Sequence, residues 1–257
     1  MLSVIYKENV KSFIYACYNR NMKTADLDVV YFVKDKLMNE ELRYSIRSVA
    51  KNMSYNRIWI FGGCPQDIVP DVRIRVEQEG PTKWDKVHSM FEMAAKNKEL
   101  TDDFILFNDD FFIMKPMDEI TPLYRCSMKE YIDIIETKNR NRPNGYSLLL
   151  RECDGTLSRL RTTDLCYELH TPFVFNKEKL LKLLEEFPGH HCTRTMYGNI
   201  YGIGGEKSHD VKIFDVHPTF NYRTSPLIST DDSIVNVNND IWRFMRNTIG
   251  KRCKYEI

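Results

Sequence analysis

Between Leu27 and Phe107 the sequence alternates short apolar runs with stretches of helical spacing, and this alternation restricts the folds open to the chain. The apolar runs are rich in β-branched and aromatic residues, as buried strands are. The predicted strands are Leu27–Val33, Arg57–Phe61, Val72–Val76 and Asp103–Phe107, and the predicted helices are Asn39–Asn52 and Trp84–Asn97. Strands that alternate with helices predict an α/β fold in which helices flank a mostly parallel central sheet.

The second half of the chain has a less regular pattern. Its predicted helices are Met128–Thr137, Asn176–Phe187 and Ile241–Ile249, and its predicted strands are Thr171–Phe175 and Val211–Val216. No linker or repeat divides the 257 residues. We therefore expect a single domain over 1–257, with a first half at about 25–115 and a completing half at about 116–257.

Hydropathy argues against a membrane-spanning protein, and the net charge leaves nucleic acid open as a partner. The formal net charge of +1 gives no long-range field that would gather an acidic polymer. No apolar run approaches the roughly 20 residues that span a bilayer. Met1–Val10 contains Lys7 and Glu8 and no run of signal-peptide length. These features predict a cytoplasmic protein without a membrane span.

The acidic turn Asn108-Asp109-Asp110 follows the predicted strand Asp103–Phe107 and precedes another apolar run, Phe111–Met114. Burying two carboxylates in such surroundings is costly unless they bind a cation or are fully hydrogen-bonded. Ligands of parallel sheets lie at the carboxyl ends of the strands, where this turn lies. Hard oxygen ligands select Mg²⁺ or Mn²⁺, which are usually shared with substrate phosphates. The alternative is a surface turn that caps a helix.

Two further segments carry residues of chemical interest. Arg43 and Arg47 are four positions apart on one predicted helix face and are suited to grip a phosphate, or else to pair with Glu40 or Glu41 on a solvated face. We expect an extended segment directly after His170, because Pro172 biases Thr171 away from helix. A histidine in this place is a candidate general base or phosphate ligand, or a histidine hydrogen-bonded within the fold.

These segments together resemble the Stealth family of sugar-1-phosphate transferases. The similarity covers roughly residues 27–177 and is closest at Asn39–Ser48, which reads NEELRYSIRS, and at Asn108–Asp110. Leu27–Tyr31, Arg57–Phe61 and His170–Phe173 are similar to further blocks of the family. Small phage and bacterial glycosyltransferases of the GT-A fold share the same strand followed by Asn-Asp-Asp. The resemblance therefore implies a compact, GT-A-like enzyme that uses a nucleotide sugar.

The resemblance also implies a role for each candidate residue. Asp109 and Asp110 would hold Mn²⁺ or Mg²⁺ against the donor diphosphate, and Asn108 would orient them or touch the donor. Asp28, Arg43 and Arg47 would lie near the donor, for which a UDP-sugar is expected. His170 would be the catalytic base or would stabilise the transferred phosphate, and Asp110 would be catalytic as well as a metal ligand. The acceptor would be a glycan, a modified DNA base or another hydroxyl compound.

One departure from the family leaves the transferred group open. The chain reads Phe32-Val-Lys-Asp-Lys36 where the family continues into an acidic loop, and only Asp35 partly replaces that loop. Three hypotheses follow. The first is transfer of the sugar, and the second is transfer of sugar-1-phosphate with release of a nucleoside monophosphate. The third is a non-catalytic module that binds sugar nucleotides.

Overall fold

The computed structural model of the chain describes residues 22–77, 82–214, 216–235 and 239–257, so the expectation based on Met1–Val10 falls outside the described residues. The chain divides into two compact units. The sheet unit contains Lys23–Ile120, His170–Gly189 and Asp210–Ile257, and the helical unit contains Thr121–Leu169 and His190–His209. The first segment of the sheet unit ends at Ile120, close to the predicted division at about residue 115. The sheet unit also includes two later segments of the chain.

In chain order the strands are β1 (Met22–Lys23), β2 (Asp28–Val33), β3 (Ile58–Gly62), β4 (Val72–Ile74), β5 (Asp103–Asn108), β6 (Phe111–Ile113), β7 (Glu119–Ile120), β8 (Leu123–Tyr124), β9 (Phe173–Asn176), β10 (Glu206–Lys207), β11 (Lys212–Ile213) and β12 (Leu227–Thr230). The helices are α1 (Glu40–Asn52), α2 (Lys83–Lys96), α3 (Met128–Lys138), α4 (Gly145–Leu160), α5 (Lys177–Glu186), α6 (Thr193–Ile200), α7 (Asp232–Val235) and α8 (Asp240–Ile249).

The central sheet of the sheet unit has the order β4-β3-β2-β5-β9. Strands β4, β3, β2 and β5 run parallel to one another, and β9 joins β5 antiparallel at one edge. Every residue of β2 and β3 is buried, as the continuous apolar pattern of these strands requires. The predicted α/β fold with a mostly parallel sheet flanked by helices is confirmed.

The helices begin where their capping residues indicate. The side chain of Asn39 accepts a hydrogen bond from the amide of Leu42 and starts α1. Thr82 and Asp85 form a reciprocal capping box at the start of α2. Each cap satisfies amide groups that the first helical turn leaves without intrahelical partners. The N-cap predicted at Asn39 is confirmed.

The loops that follow β2, β3 and β5 share one edge of the central sheet. The register pairs Val33 with Gly62 and Phe32 with Asn108, so the chain leaves the sheet at the same level in all three strands. A Cβ atom at Gly63 would lie 2.5 Å from the carbonyl oxygen of Lys34. This contact requires glycine and keeps the loop after β2 closely packed against the loop after β3.

A second, three-stranded sheet of order β11-β12-β6 continues from the acidic turn. Its register pairs Lys212 with Ser229, and Ser229 with Phe111. One face of this sheet packs on α8 through a buried cluster that includes Phe112, Met114, Ile213, Ile228, Trp242 and Met245. The alignment brings Lys212 and Ser229 close to Asp110, the residue that precedes Phe111.

The structure differs from the sequence prediction mainly in the second half. The predicted strand Val211–Val216 is reduced to the two residues of β11, and α4 and α6 of the helical unit were not predicted. The sequence around α4 suggests a loop, because Pro143 precedes the helix, Gly145 begins it and Gly155 lies inside it. A capping box at Asn144 and Ser147 nevertheless starts the helix. Among the helices described, none is both long and apolar enough to cross a membrane.

Candidate functional site

The acidic turn lies at the carboxyl end of β5, in the sheet unit, and both carboxylates are held by side chains from other segments. Asn39 donates a hydrogen bond of 2.7 Å from Nδ2 to Oδ2 of Asp109, while its Oδ1 caps α1. Asn39 itself is buried. The helix cap and the acidic turn are therefore fixed to each other through one amide side chain.

Asp110 is only 8% exposed and its two carboxylate oxygens have different surroundings. Oδ2 accepts a 2.6 Å bond from Nζ of Lys212 and a 3.0 Å bond from the hydroxyl of Ser229. Oδ1 is buried and has no hydrogen-bond partner. An unpaired carboxylate oxygen away from water is costly, and a bound cation is one of the few partners that removes this cost.

The electrostatic environment of Asp109 is also unusual. Burial raises the pKa of Asp109 above its ordinary value, and the charge of Asp110 adds to the rise. The hydrogen bond from Asn39 and the charge of Lys36 oppose it. Two adjacent carboxylates in partly desolvated surroundings are unfavourable together without a further positive charge.

Hard oxygen donors and an unpaired buried oxygen fit a divalent cation such as Mg²⁺ or Mn²⁺. Within the described ranges, no three histidine, cysteine, aspartate or glutamate side chains converge in a way that could hold a metal. Among the described residues, a metal at this turn would therefore have Asp109 and Asp110 as its carboxylate ligands, and water would supply further ligands. Mg²⁺ is commonly bound in this manner.

His170 is paired with a carboxylate that the sequence prediction missed. Nδ1 of His170 lies 3.0 and 2.9 Å from the two carboxylate oxygens of Asp210, and the amide of His170 donates to Oδ1 of Asp210. The imidazole ring packs in a T-shaped arrangement against the rings of Phe111 and Phe214, with centroid distances of 6.3 and 6.5 Å. In neutral His170 this carboxylate favours the tautomer with the proton on Nδ1, which leaves the lone pair of Nε2 to a general base.

The segment from Asp210 to Phe214 connects the histidine with the acidic turn. Its side chains alternate, with Val211 and Ile213 buried in the core. On the other face Asp210 binds His170, Lys212 binds Asp110, and Phe214 contacts the ring of His170. A period of two is the strand signal, and the sequence Asp-Val-Lys-Ile-Phe shows it. That alternation was the signal by which Asp210 and Lys212 could have been found.

The polar segment that follows Ile228 lines the same site. Ser229 donates to the carboxylate of Asp110, and the amide of Thr230 donates to its carbonyl oxygen. The hydroxyl of Thr230 also donates to Glu41 at 3.0 Å. The side chains of Ser229 and Thr230 are buried, so they belong to the inner wall of the site.

The two arginines on α1 lie in an ion-pair cluster with Glu256. Arg47 donates to Glu256 through Nε at 2.8 Å and Nη2 at 2.5 Å, and to the carbonyl of Gly250 through Nη1. Arg43 pairs with Glu40, Asp67 and Glu256. A guanidinium whose donors are satisfied in this way has little capacity left for a phosphate. A donor-binding role for Arg43 and Arg47 stays a prediction, and these contacts favour the alternative of carboxylate pairing.

Asp28 and Asn108 lie at opposite ends of the paired strands β2 and β5. Asn108 ends β5 opposite Phe32, at the edge that carries the acidic turn. Asp28 begins β2, and its fully buried carboxylate binds Asn56, Arg57 and the amide of Thr101. The structure does not bring Asp28 to the acidic turn, so we leave it out of the candidate site and keep Asn108.

The chain matches no protein-family model, and it has no significant similarity to a curated protein sequence. The resemblance to the Stealth family is therefore carried by the quoted residues alone. The geometry assembles Asn108, Asp109, Asp110 and His170 of the predicted site and adds Asn39, Asp210, Lys212 and Ser229 to them.

Proposed function

We propose that this protein is a metal-dependent glycosyltransferase with a GT-A-like sheet unit, which transfers a sugar from a nucleotide diphosphate donor to a hydroxyl acceptor. The observation that carries the proposal is the buried, unpaired Oδ1 of Asp110 beside Asp109, at the carboxyl edge of a parallel sheet. A metal ion held by Asp109 and Asp110 would offset the charge that develops on the leaving diphosphate.

The pair of His170 and Asp210 supports the acid–base part of the proposal. In the reaction, the oxygen of the acceptor hydroxyl forms a bond to the anomeric carbon of the donor sugar. The bond between that carbon and the diphosphate oxygen breaks, and its electron pair leaves with the nucleoside diphosphate. Nε2 of His170 takes the proton of the hydroxyl, and Asp210 stabilises the resulting imidazolium.

Sugar-1-phosphate transfer is the second candidate, and the same residues support it. There the acceptor oxygen attacks the β-phosphorus, the bond to the α-phosphate bridging oxygen breaks, and a nucleoside monophosphate leaves. His170 would accept the hydroxyl proton in this reaction as well. The acceptor remains a glycan, a modified DNA base or another hydroxyl compound, and a UDP-sugar is the expected donor.

The experiment that tests the proposal begins with a thermal-shift screen of nucleotide sugars in the presence of Mn²⁺. A ligand that binds only the folded state raises the melting temperature in proportion to RT ln(1 + [L]/Kd), so the donor should give the largest increase. The selected donor is then incubated with the protein, and the released nucleotide is identified by chromatography. A diphosphate supports sugar transfer, and a monophosphate supports sugar-1-phosphate transfer instead.

The matched control for turnover is Asp110→Ala. If wild-type protein cleaves the donor with Mn²⁺ and Asp110→Ala does not, the third hypothesis of a non-catalytic module is excluded. If neither protein cleaves any donor that binds, the enzymatic proposal is wrong and the binding module remains.

A further inference from the structure

The ammonium group of Lys212 already occupies the acidic turn. Nζ lies 2.6 Å from Oδ2 of Asp110, and the lysine side chain is only 14% exposed. The residue is held there by the register of the three-stranded sheet, which places it beside Ser229. Its positive charge is therefore a fixed part of the site and not a mobile surface charge.

This placement sets the charge that a metal ion would meet. Asp109 and Asp110 together supply at most two negative charges, while Lys212 contacts one of them and Lys36 acts electrostatically on the other. Asp110 is thus already paired with an ammonium group, whereas Lys36 offsets the charge of Asp109 only in part. A divalent cation that approached Oδ1 of Asp110 would be attracted weakly, because the adjacent Lys212 repels it.

A nucleoside diphosphate changes this balance, because it brings two or three further negative charges and several oxygen ligands. We propose that Lys212 makes metal binding depend on the nucleotide, so that Asp109 and Asp110 hold a divalent cation only together with a diphosphate. Lys212 is then a specificity-determining residue, which selects the metal–diphosphate complex over the free metal. The inference rests on the proposed function, since it assumes that the acidic turn is the donor site.

Thermodynamic linkage makes the inference measurable without any turnover. If the nucleotide strengthens metal binding by a given factor, the metal must strengthen nucleotide binding by the same factor. Mn²⁺ binding to wild-type protein would be followed by electron paramagnetic resonance, alone and with UDP, GDP, CDP or ADP at saturation. Nucleotide binding would be followed by calorimetry with and without Mn²⁺. We expect a coupling factor of at least about tenfold in wild-type protein.

The variant Lys212→Gln removes the charge and keeps a hydrogen-bond donor for Asp110. We expect it to bind Mn²⁺ alone about tenfold more tightly than wild type, because one repulsive charge is gone. Its coupling factor should fall accordingly. Lys212→Arg keeps the charge and should behave like wild type. Lys96→Met removes an exposed lysine that pairs with Glu92 on α2, and it should leave Mn²⁺ binding unchanged.

The possible outcomes separate two claims, namely that the acidic turn binds a metal ion and that Lys212 makes this binding depend on the nucleotide. Equal Mn²⁺ affinity with and without every nucleotide in wild type, or equal affinity of wild type and Lys212→Gln, would overturn the role of Lys212 while leaving a metal site in place. Failure of Mn²⁺ to bind in any combination would overturn the metal site itself, and the role of Lys212 with it. If Lys212→Gln does not fold, the absence of coupling in wild-type protein would still overturn the role of Lys212.

Discussion

The sheet unit contains two clusters of charged side chains that differ in how completely they are satisfied. In the first, Arg43 and Arg47 surround Glu256, whose side chain is 1% exposed and receives hydrogen bonds on both carboxylate oxygens. In the second, Lys212 and Ser229 bind one oxygen of Asp110, and the other oxygen is buried without a partner. Both clusters contain arginine or lysine paired with a buried carboxylate, so composition alone does not distinguish them.

The difference indicates what each cluster is for. Native proteins rarely leave a buried polar atom unpaired, because the loss of solvation costs roughly 1–3 kcal/mol. For Oδ1 of Asp110 we infer a partner that is absent from the chain itself, whereas the Glu256 cluster, in which both carboxylate oxygens have partners, stabilises the fold. Neutralising Asp110 should therefore abolish function, whereas neutralising Glu256 should lower stability and spare function.

The largest expected effect is that of Asp110→Asn on turnover. The substitution keeps the shape of the side chain and removes the charge that would bind the metal. We expect donor turnover to fall by at least about 10³-fold, as for loss of a principal electrostatic group in a catalytic site. Calorimetry should show that Mn²⁺ no longer strengthens nucleotide binding. The melting temperature should fall as well, because the substitution breaks the ion pair with the largely buried Lys212, so turnover is compared per folded molecule.

A matched control uses another aspartate of the same region. Asp102 lies just before β5, its side chain is 92% exposed, and it pairs with Lys177 at 3.5 Å. Asp102→Asn should leave turnover and metal dependence unchanged. If Asp110→Asn kept wild-type turnover, the acidic turn would belong with the Glu256 cluster as a structural element.

The next effect in size concerns the carboxylate that holds His170. In Asp210→Asn the side-chain amide can donate a hydrogen bond to Nδ1 of His170. The neutral imidazole then carries its proton on Nε2 and has no lone pair on the atom that would act as the base. We expect kcat to fall by about 10²-fold or more, with little change in donor affinity. The ¹⁵N chemical shifts of His170 should report the Nδ1–H tautomer in wild type and the Nε2–H tautomer in the variant.

His170→Ala provides the reference for this effect, and it should lower turnover more than donor affinity. A double variant, His170→Ala with Asp210→Asn, should be no worse than His170→Ala, because Asp210 acts through the histidine. Unchanged turnover in Asp210→Asn despite a changed tautomer would show that His170 is a hydrogen-bonded residue of the fold.

Much of the fold was predictable, because local pattern and topology agree in the first half. The parallel strands and α1 follow from continuous apolar runs and a capping asparagine, and parallel strands place their carboxyl ends at one edge. Asn108, Asp109 and Asp110 could be identified as site residues for this reason. The helices α4 and α6 were missed because glycine and proline near their ends indicate loops.

Residues brought together by long-range pairing were harder to predict. Lys212 and Asp110 are separated by 102 positions, and their contact depends on the register between β11, β12 and β6. Arg43 and Arg47 share a helix face as predicted, but the carboxylate that binds both lies more than 200 positions away at Glu256. Sequence spacing describes one helix face and carries no information about the segment that packs against it.

The Glu256 cluster should show the opposite response to substitution. Glu256→Gln would leave the two arginines without their shared carboxylate, and we expect a loss of about 3 kcal/mol in the free energy of unfolding. Turnover per folded molecule should stay within about twofold of wild type, since no atom of the acidic turn is altered. Urea unfolding at neutral pH measures the first quantity. A large loss of turnover with unchanged stability would contradict the structural role.

The smallest expected effect is the pH dependence of stability that Glu256 produces. Burial opposes ionisation of this carboxyl, but the hydrogen bonds from Arg47 and the amide of Cys253 outweigh it and lower the pKa of Glu256 from 4.5 to about 2. Because the folded pKa is the lower one, the stabilisation is fully present above the unfolded pKa and is lost as pH falls toward 2. Wild-type protein should lose about 2 kcal/mol from this group between pH 7 and pH 3.

The measurement compares urea unfolding of wild type and Glu256→Gln at pH 7, 5, 4 and 3. The difference in unfolding free energy between the two proteins should narrow below pH 5 by about 2 kcal/mol. Glu92→Gln, which alters an exposed glutamate paired with Lys96, should run parallel to wild type over the same range. A difference between wild type and Glu256→Gln that stays constant with pH would mean that the arginines do not hold Glu256 ionised. The Glu256 cluster would then no longer stand as the stabilising counterpart of the acidic turn at Asp110.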